Sequence, residues 1–361
     1  MTKKNVLVMA GGTGGHVIPA LSVARELTNK GYRVHWLGSI KGIENELVVD
    51  AGYTLHRISI AGLRGSGVRK LLSAPWQMMI ALWQTFKVYR QVKPVMCLGM
   101  GGFASGPGGL MAWLLRVPLV VHEQNALAGL TNKLLSRLAT RVLQAFDSAF
   151  VAGKKVHTVG NPVRSSIVDI ADPKQRLSNR QGPLNVLVVG GSLGAVALNQ
   201  VVIEMMGQQE LKLNVWHQTG ARNYDAVKAG YQTAHIEGVK VSAFIGDMAA
   251  AFAWADVVIC RAGALTVSEL MAAGVASILV PYPFAVDDHQ TANGQFLVNL
   301  EAAILCQQAE LTASSLLDEL TQLQDRDRLL QMSCAARSLA RADAAQVVSN
   351  YCIEVIHDGR K

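Results

Sequence analysis

Short apolar runs rich in β-branched residues recur along the chain. Each is closed by glycine or a polar turn and followed by apolar positions at helical spacing. In the first half such runs fall at Asn5–Met9, Tyr32–Leu37, Val95–Leu98, Leu119–His122 and Arg141–Gln144. In the second half they fall at Val186–Val189, Leu213–His217, Val241–Phe244, Val257–Cys260, Ile278–Val280 and Ala303–Cys306. Continuous runs of this length, unlike alternating ones, suit strands buried on both faces. Helical stretches separate them, such as Ile18–Lys30, which stops at Gly31 as a C-terminal cap requires. The alternation predicts an α/β protein with two doubly wound, Rossmann-like parallel sheets. One phrase opens both halves: Asn5-Val6-Leu7-Val8 before glycines 11, 12, 14 and 15, and Asn185-Val186-Leu187-Val188 before glycines 190, 191 and 194. Two such domains imply a cleft and a phosphate-rich ligand. The turn-rich Val159–Arg164 suits a hinge, giving a first domain at 1–162 and a second at 163–343.

A helix predicted from Pro75 to Lys93 carries two apolar sectors. Met78, Ala81, Leu82, Val88, Tyr89 and Val92 would face the core. Trp76, Met79, Trp83 and Phe86 form the other, with Lys87 and Arg90 on the same side and Arg64, Arg69 and Lys70 before them. Indoles beside cations suit contact with an anionic bilayer; a helix buried on two sides is the alternative.

Three glycine-rich turns follow strands: Gly11–His16, Gly99–Pro107 and Gly190–Gly194. None is the dinucleotide fingerprint, because Val17 stands where its third glycine would fall, and no acid ends the second strand to hold a ribose. The lysine of a phosphate-binding P-loop is missing too. A tight strand–helix turn would explain each singly. Three at strand C-termini favour phosphate binding, since ligands of open α/β sheets sit at that edge. His16 opens the helix after the first turn, where the dipole favours a neutral imidazole able to act as a base; a helix-start residue bonding backbone is the alternative. His122-Glu123-Gln124-Asn125 ends another strand, pointing polar groups at a ligand or satisfying its own hydrogen bonds. In Cys260–Glu269, backbone N–H groups at Ala264–Thr266 suit a diphosphate, and Glu269 suits ribose hydroxyls or a plain first-turn acid. Asp287-Asp288-His289 carries little weight as a metal site, lacking partners at ligand spacing.

Charge and cysteines narrow the setting. A net charge of +8 favours a polyanionic neighbour: nucleic acid, bilayer or phosphorylated substrate. Five scattered cysteines without a Cys-x-x-Cys argue against a disulfide framework and for a reducing compartment. The start, Met1–Ala10, is too short in its apolar run for a signal peptide, and no run approaches a spanning helix. The expectation is a cytosolic protein that touches a membrane without crossing it.

Gly11–His16, Gly99–Phe103, His122–Asn125, Gly160–Arg164 and Gly263–Glu269 together resemble the bacterial N-acetylglucosaminyltransferases of peptidoglycan synthesis, the MurG family within glycosyltransferase family 28. The match runs in order from the first loop to about Asn293. The resemblance implies a GT-B fold, two domains facing a deep cleft, with the C-terminal helix at about 344–361 packing back on the first. It implies transfer of N-acetylglucosamine from its UDP donor to the muramoyl 4-hydroxyl of undecaprenyl-diphosphate-linked lipid I, with inversion. The product is β-1,4-linked lipid II. No cofactor, metal or nucleic acid is implied; the helix start at Ala264–Thr266 would neutralise the leaving diphosphate. The implied donor site comprises Thr13, Gly14, Gly15, Asn125, Arg164, Ser192, Ile245, Ala264, Leu265, Thr266, Val267, Ser268, Glu269 and Gln290. Gly14, Gly15, His16, Gly101, Gly102 and Phe103 would hold the acceptor diphosphate, with His16 the candidate base. Relatives often carry tyrosine where Phe103 stands, so a hydroxyl there is dispensable, and they vary at Leu193. The implied membrane patch is Trp76, Met79, Trp83, Lys87, Arg90 and Trp113, with Arg116 extending it, at the cytoplasmic face of the inner membrane. A UDP-N-acetylglucosamine 2-epimerase is the rival of the same architecture, but it leaves Gly99–Pro107 unexplained. A two-domain sugar receptor is the non-enzymatic rival.

Overall fold

A computed structural model describes residues 3–60, 68–191, 194–208 and 210–358. Two compact units emerge: residues 1–164 with 341–361, and residues 165–340. In the first unit, β1 (Asn5–Met9), β2 (Arg33–Ser39), β3 (Thr54–Ile58), β4 (Cys97–Gly99), β5 (Leu119–Glu123), β6 (Arg141–Gln144) and β7 (Val156–Thr158) form one parallel sheet. Its order is β3-β2-β1-β4-β5-β6-β7. In the second unit, β8 (Leu184–Val189), β9 (Leu213–Gln218), β10 (Val239–Ser242), β11 (Val257–Cys260), β12 (Ala276–Leu279) and β13 (Ala303–Leu305) pair in parallel as β10-β9-β8-β11-β12-β13. Both orders reverse direction once, between β1 and β4 and between β8 and β11. That switch point opens a crevice at the strand C-termini.

The first sheet is covered on both faces, which is why its strands read as unbroken apolar runs. Val6 and Val8 face one core with Val17, Ala20 and Leu27 of α1 (Gly14–Asn29) and Val48 of α2 (Glu44–Asp50). The C-terminal helix Ala344–Asp358 adds Val348, Cys352, Val355 and Ile356 to that core. Leu7 and Met9 face the other core with residues of α3 (Val68–Val92), α4 (Ser105–Leu114) and α5 (Leu130–Leu138).

The structure departs from the sequence reading in four elements. The reading has no counterpart for β3 or β7; both are short and carry polar residues such as His56, Arg57 and His157. The strand expected at Val241–Phe244 lies at Val239–Ser242, and Phe244 is exposed in the loop beyond it. Pro75 does not open its helix; α3 begins at Val68 and Pro75 lies inside it. On α3, Ala81, Val88, Tyr89 and Val92 are buried as the core sector requires, but Met78 is 38% exposed and belongs with the outer face. Among the described residues no helix is long and apolar enough to cross a membrane.

Candidate functional site

At the first unit's switch point the turns after β1 and β4 are knitted together. Met100 N–H donates to the Met9 carbonyl (2.8 Å), and Ser105 Oγ donates to the carbonyls of Met9 (2.9 Å) and Gly101 (2.7 Å). Gly101 and Gly102 have φ of +89° and +82°, which L side chains resist. They also lack room: a Cβ at Gly102 would strike the Gly11 backbone, and one at Gly101 would lie 2.7 Å from His16 Nδ1. The glycines therefore allow close packing of one turn on another and on an imidazole.

Thr13 caps α1, its carbonyl accepting from His16 N–H and Val17 N–H at 3.2 Å; Gly14 and Gly15 open the helix. His16 is half-buried, with Nδ1 2.8 Å from Gln124 Oε1. Gln124 Nε2 lies 3.2 Å from both the Nδ1 and the carbonyl of His122, and His122 Nε2 lies 2.9 Å from the Gly160 carbonyl. Burial pulls the His122 pKa from 6.5 to about 4, against weaker opposing effects of Gly160 and Glu123. Phe103 is half exposed beside this cluster in sequence.

Two buried acids serve the loops. Glu123 accepts from Asn125 N–H (3.0 Å), Asn125 Nδ2 (3.1 Å), Gly129 N–H (3.1 Å) and Asn132 Nδ2 (2.8 Å). For His122 and Glu123, then, the strand end satisfies its own hydrogen bonds, and Asn125 is held by that carboxylate. Glu44 Oε1 accepts from Ser39 N–H (2.9 Å) and Ser39 Oγ (2.7 Å), and Oε2 accepts from Gly12 N–H (2.9 Å). The ribose acid sought at the end of β2 is absent there, yet α2 brings an acid to the turn from outside the strand. Its N–H partner at Gly12 is thereby occupied by protein.

In the second unit the loop after β11 enters the helix Ala264–Ala273 through Gly263, a cap with no side chain. Ala264, Leu265, Ser268 and Glu269 are buried, and Thr266 is half-buried. Ser268 Oγ donates back to the Ala264 carbonyl (2.9 Å). Val267 is fully buried, and its N–H donates to the Gly263 carbonyl (2.9 Å). Asn293 Nδ2 donates to the Ala262 carbonyl (3.2 Å), tying the helix His289–Val298 to the same loop. Gln290 Oε1 accepts from Tyr282 N–H (2.9 Å). Arg261, inside the motif, is spent on the carbonyls of Val280 and Pro281 and on Gln308. Ile245 is buried in the loop after β10, and Arg164 is half-buried at the end of the first unit's long segment. Ser192 and Leu193 lie outside the described residues. Asp288 accepts from Thr291 Oγ1 (2.8 Å) and His289 Nδ1 bonds the Val286 carbonyl (2.7 Å), so both side chains bond locally at the start of their helix.

Away from both switch points, Trp76, Met79, Trp83 and Phe86 are exposed along α3, and Trp113, Leu114 and Leu115 are exposed at the end of α4. Lys87 Nζ sits 3.4 Å from the Trp83 ring centroid, and Arg90 and Arg116 are exposed. Arg64 lies outside the described residues, as do the side chains of Arg69 and Lys70.

Two parallel-sheet α/β units with glycine turns at their switch points are the architecture of GT-B glycosyltransferases. The chain belongs to glycosyltransferase family 28: its residues 6–144 match the family's N-terminal domain and 185–348 its C-terminal domain. It is 51% identical over 356 residues to the UDP-N-acetylglucosamine–N-acetylmuramyl-(pentapeptide) pyrophosphoryl-undecaprenol N-acetylglucosamine transferase of Marinobacter nauticus, covering 98% of each chain. The crystal structure of Acinetobacter baumannii MurG superposes with a TM-score of 0.84 at 43% identity, over 97% of this chain and 99% of that one. A UDP-N-acetylglucosamine 2-epimerase superposes with a TM-score of 0.68 at 13% identity, over 100% of this chain and 98% of that one. At that identity the likeness is one of fold.

Proposed function

We propose that this glycosyltransferase moves N-acetylglucosamine from UDP-N-acetylglucosamine to the muramoyl 4-hydroxyl of an undecaprenyl-diphosphate-linked acceptor. The observation carrying this reading is the half-buried His16, seated at the start of α1 against the Gly101 turn with its Nδ1 engaged by Gln124. In the reaction, the acceptor oxygen forms a bond to the anomeric carbon while the bond from that carbon to the diphosphate breaks. UDP leaves with the electron pair, the configuration inverts, and the hydroxyl proton passes to His16 Nε2.

The first unit is the acceptor and membrane-docking domain, and the second holds the donor. Gly14 and Gly15 approach the acceptor diphosphate, with the Gly101–Gly102 turn packed beside them on His16 and Gly11. The start of the helix Ala264–Ala273 stabilises the leaving diphosphate through its N–H groups and dipole. Glu269 holds the ribose, and the Ile245 backbone meets the uracil. The exposed Trp76, Met79, Trp83 and Trp113 with Lys87 and Arg90 dock peripherally on the anionic cytoplasmic face of the bacterial inner membrane.

The test is UDP release from UDP-N-acetylglucosamine with and without a soluble lipid I analogue. Release only with acceptor, together with a β-linked disaccharide, supports the transferase. Conversion of UDP-N-acetylglucosamine to its 2-epimer without acceptor favours the epimerase, and neither release nor epimerisation favours a binding protein.

A further inference from the structure

The hydrogen-bonded chain ending on His16 contains its own directionality. It starts at the Gly160 carbonyl, which can only accept, so His122 Nε2 carries the proton of that 2.9 Å bond. His122 is fully buried and neutral, and a neutral imidazole has one N–H; its Nδ1 is therefore an acceptor. Gln124 Nε2, 3.2 Å from that Nδ1, donates to it. The amide orientation is fixed a second time by the His122 carbonyl, also 3.2 Å from Nε2 and also only an acceptor. Gln124 must then present Oε1 to His16, and the 2.8 Å contact requires a proton on His16 Nδ1. A neutral His16 so held carries its lone pair on Nε2.

We infer that Gln124 is a positioning residue that locks His16 as the Nδ1–H tautomer and leaves Nε2 to receive the acceptor proton. The inference rests on the reading of His16 as the base, and it assigns to Gln124 and His122 a task that neither performs on substrate. Gly101 completes the device: a Cβ there would lie 2.7 Å from Nδ1 and 2.8 Å from Cε1, so only a residue without one lets its turn pack this closely on the ring. The logic is that of a catalytic imidazole oriented by an acceptor on its far nitrogen, with a neutral amide in place of a carboxylate. A neutral orienter fixes the tautomer without adding negative charge beside an anionic diphosphate.

The full-length protein labelled with ¹⁵N-histidine reports the tautomer directly through two-bond proton–nitrogen correlations at about pH 8, where histidine is mostly neutral. His16→Gln identifies the signal. The proposal predicts His16 protonated on Nδ1 in the wild type. Gln124→Met, which removes the acceptor, should give a mixture of tautomers. It should lower kcat about five- to tenfold, the population lost with one hydrogen bond, at unchanged KM for UDP-N-acetylglucosamine. Gln124→Glu, which keeps an acceptor toward His16, should keep the Nδ1–H form. A wild-type His16 protonated on Nε2, or a Met variant with wild-type tautomer and kcat, overturns the proposal. Normal turnover by His16→Gln would instead remove His16 as the base while leaving the tautomer result standing.

Discussion

Glu44 gives the sharpest test of how the first glycine turn is held. Its carboxylate is fully buried, with one oxygen on Ser39 N–H and Oγ and the other on Gly12 N–H. In Glu44→Gln a single oxygen remains. Ser39 is buried and Gly12 exposed, so the amide turns its nitrogen toward Gly12, where water can replace the lost acceptor. The cost is about 1–2 kcal/mol, one hydrogen bond to a charged group lost and partly recovered from solvent. In Glu44→Ala the buried Ser39 N–H is stranded as well, raising the cost to about 3–4 kcal/mol. For a unit of this size that corresponds to a fall in Tm of roughly 2–8 °C for Gln and 6–16 °C for Ala, at about 2–4 °C per kcal/mol. Calorimetry of the full chain, following the transition of the first unit, reads both. Because Gly12 immediately precedes Thr13 and the start of α1, both variants should also raise KM for the acceptor more than for the donor. An Ala variant melting within about 1 °C of wild type, or Gln as damaging as Ala, would refute the reasoning.

Trp76→Ser combined with Trp83→Ser removes two indoles that are 64% and 58% exposed, and should weaken binding to anionic vesicles about tenfold or more while leaving Tm unchanged; unchanged co-sedimentation would assign those rings another role. Acidification should destabilise both units. Burial lowers His122 and His217 from 6.5 to about 4, so each stays neutral when folded and takes up a proton only on unfolding. Their contribution is complete above about pH 6.5 and lost as pH falls toward 4, roughly 2 kcal/mol each by pH 5. A Tm that does not fall between pH 7 and 5 would contradict this. Phe103→Tyr should leave turnover within about twofold, since a half-exposed ring has space for a hydroxyl; a larger loss would give that face a tighter role in the acceptor site.

The sequence is legible where burial is two-sided. Val6, Val8, Val186 and Val188 announce their strands because both faces of each sheet are covered. β3 and β7, carrying polar side chains, give no such signal. The glycine turns were readable as chain-level punctuation, but not what each glycine avoids: Gly101 makes room for an imidazole and Gly102 for another turn's backbone. Glu44 draws no notice in the sequence and lies with Glu46 in the first turn of α2. Only the fold shows that one points inward to Gly12 and Ser39. Gln124 was visible only within His122–Asn125. Its part depends on hydrogen-bond directions set by the carbonyls of Gly160 and His122, and backbone carbonyls leave no trace in composition. Val267 shows the converse, a motif residue whose place is the core.

The central claim is that His16 takes the acceptor proton, and turnover of His16→Ala at saturating UDP-N-acetylglucosamine and acceptor, paired with calorimetric donor affinity, tests it most directly. The account predicts kcat lowered by about two orders of magnitude or more, the usual worth of a general base, with donor affinity unchanged. Near-normal kcat in a folded variant would contradict it.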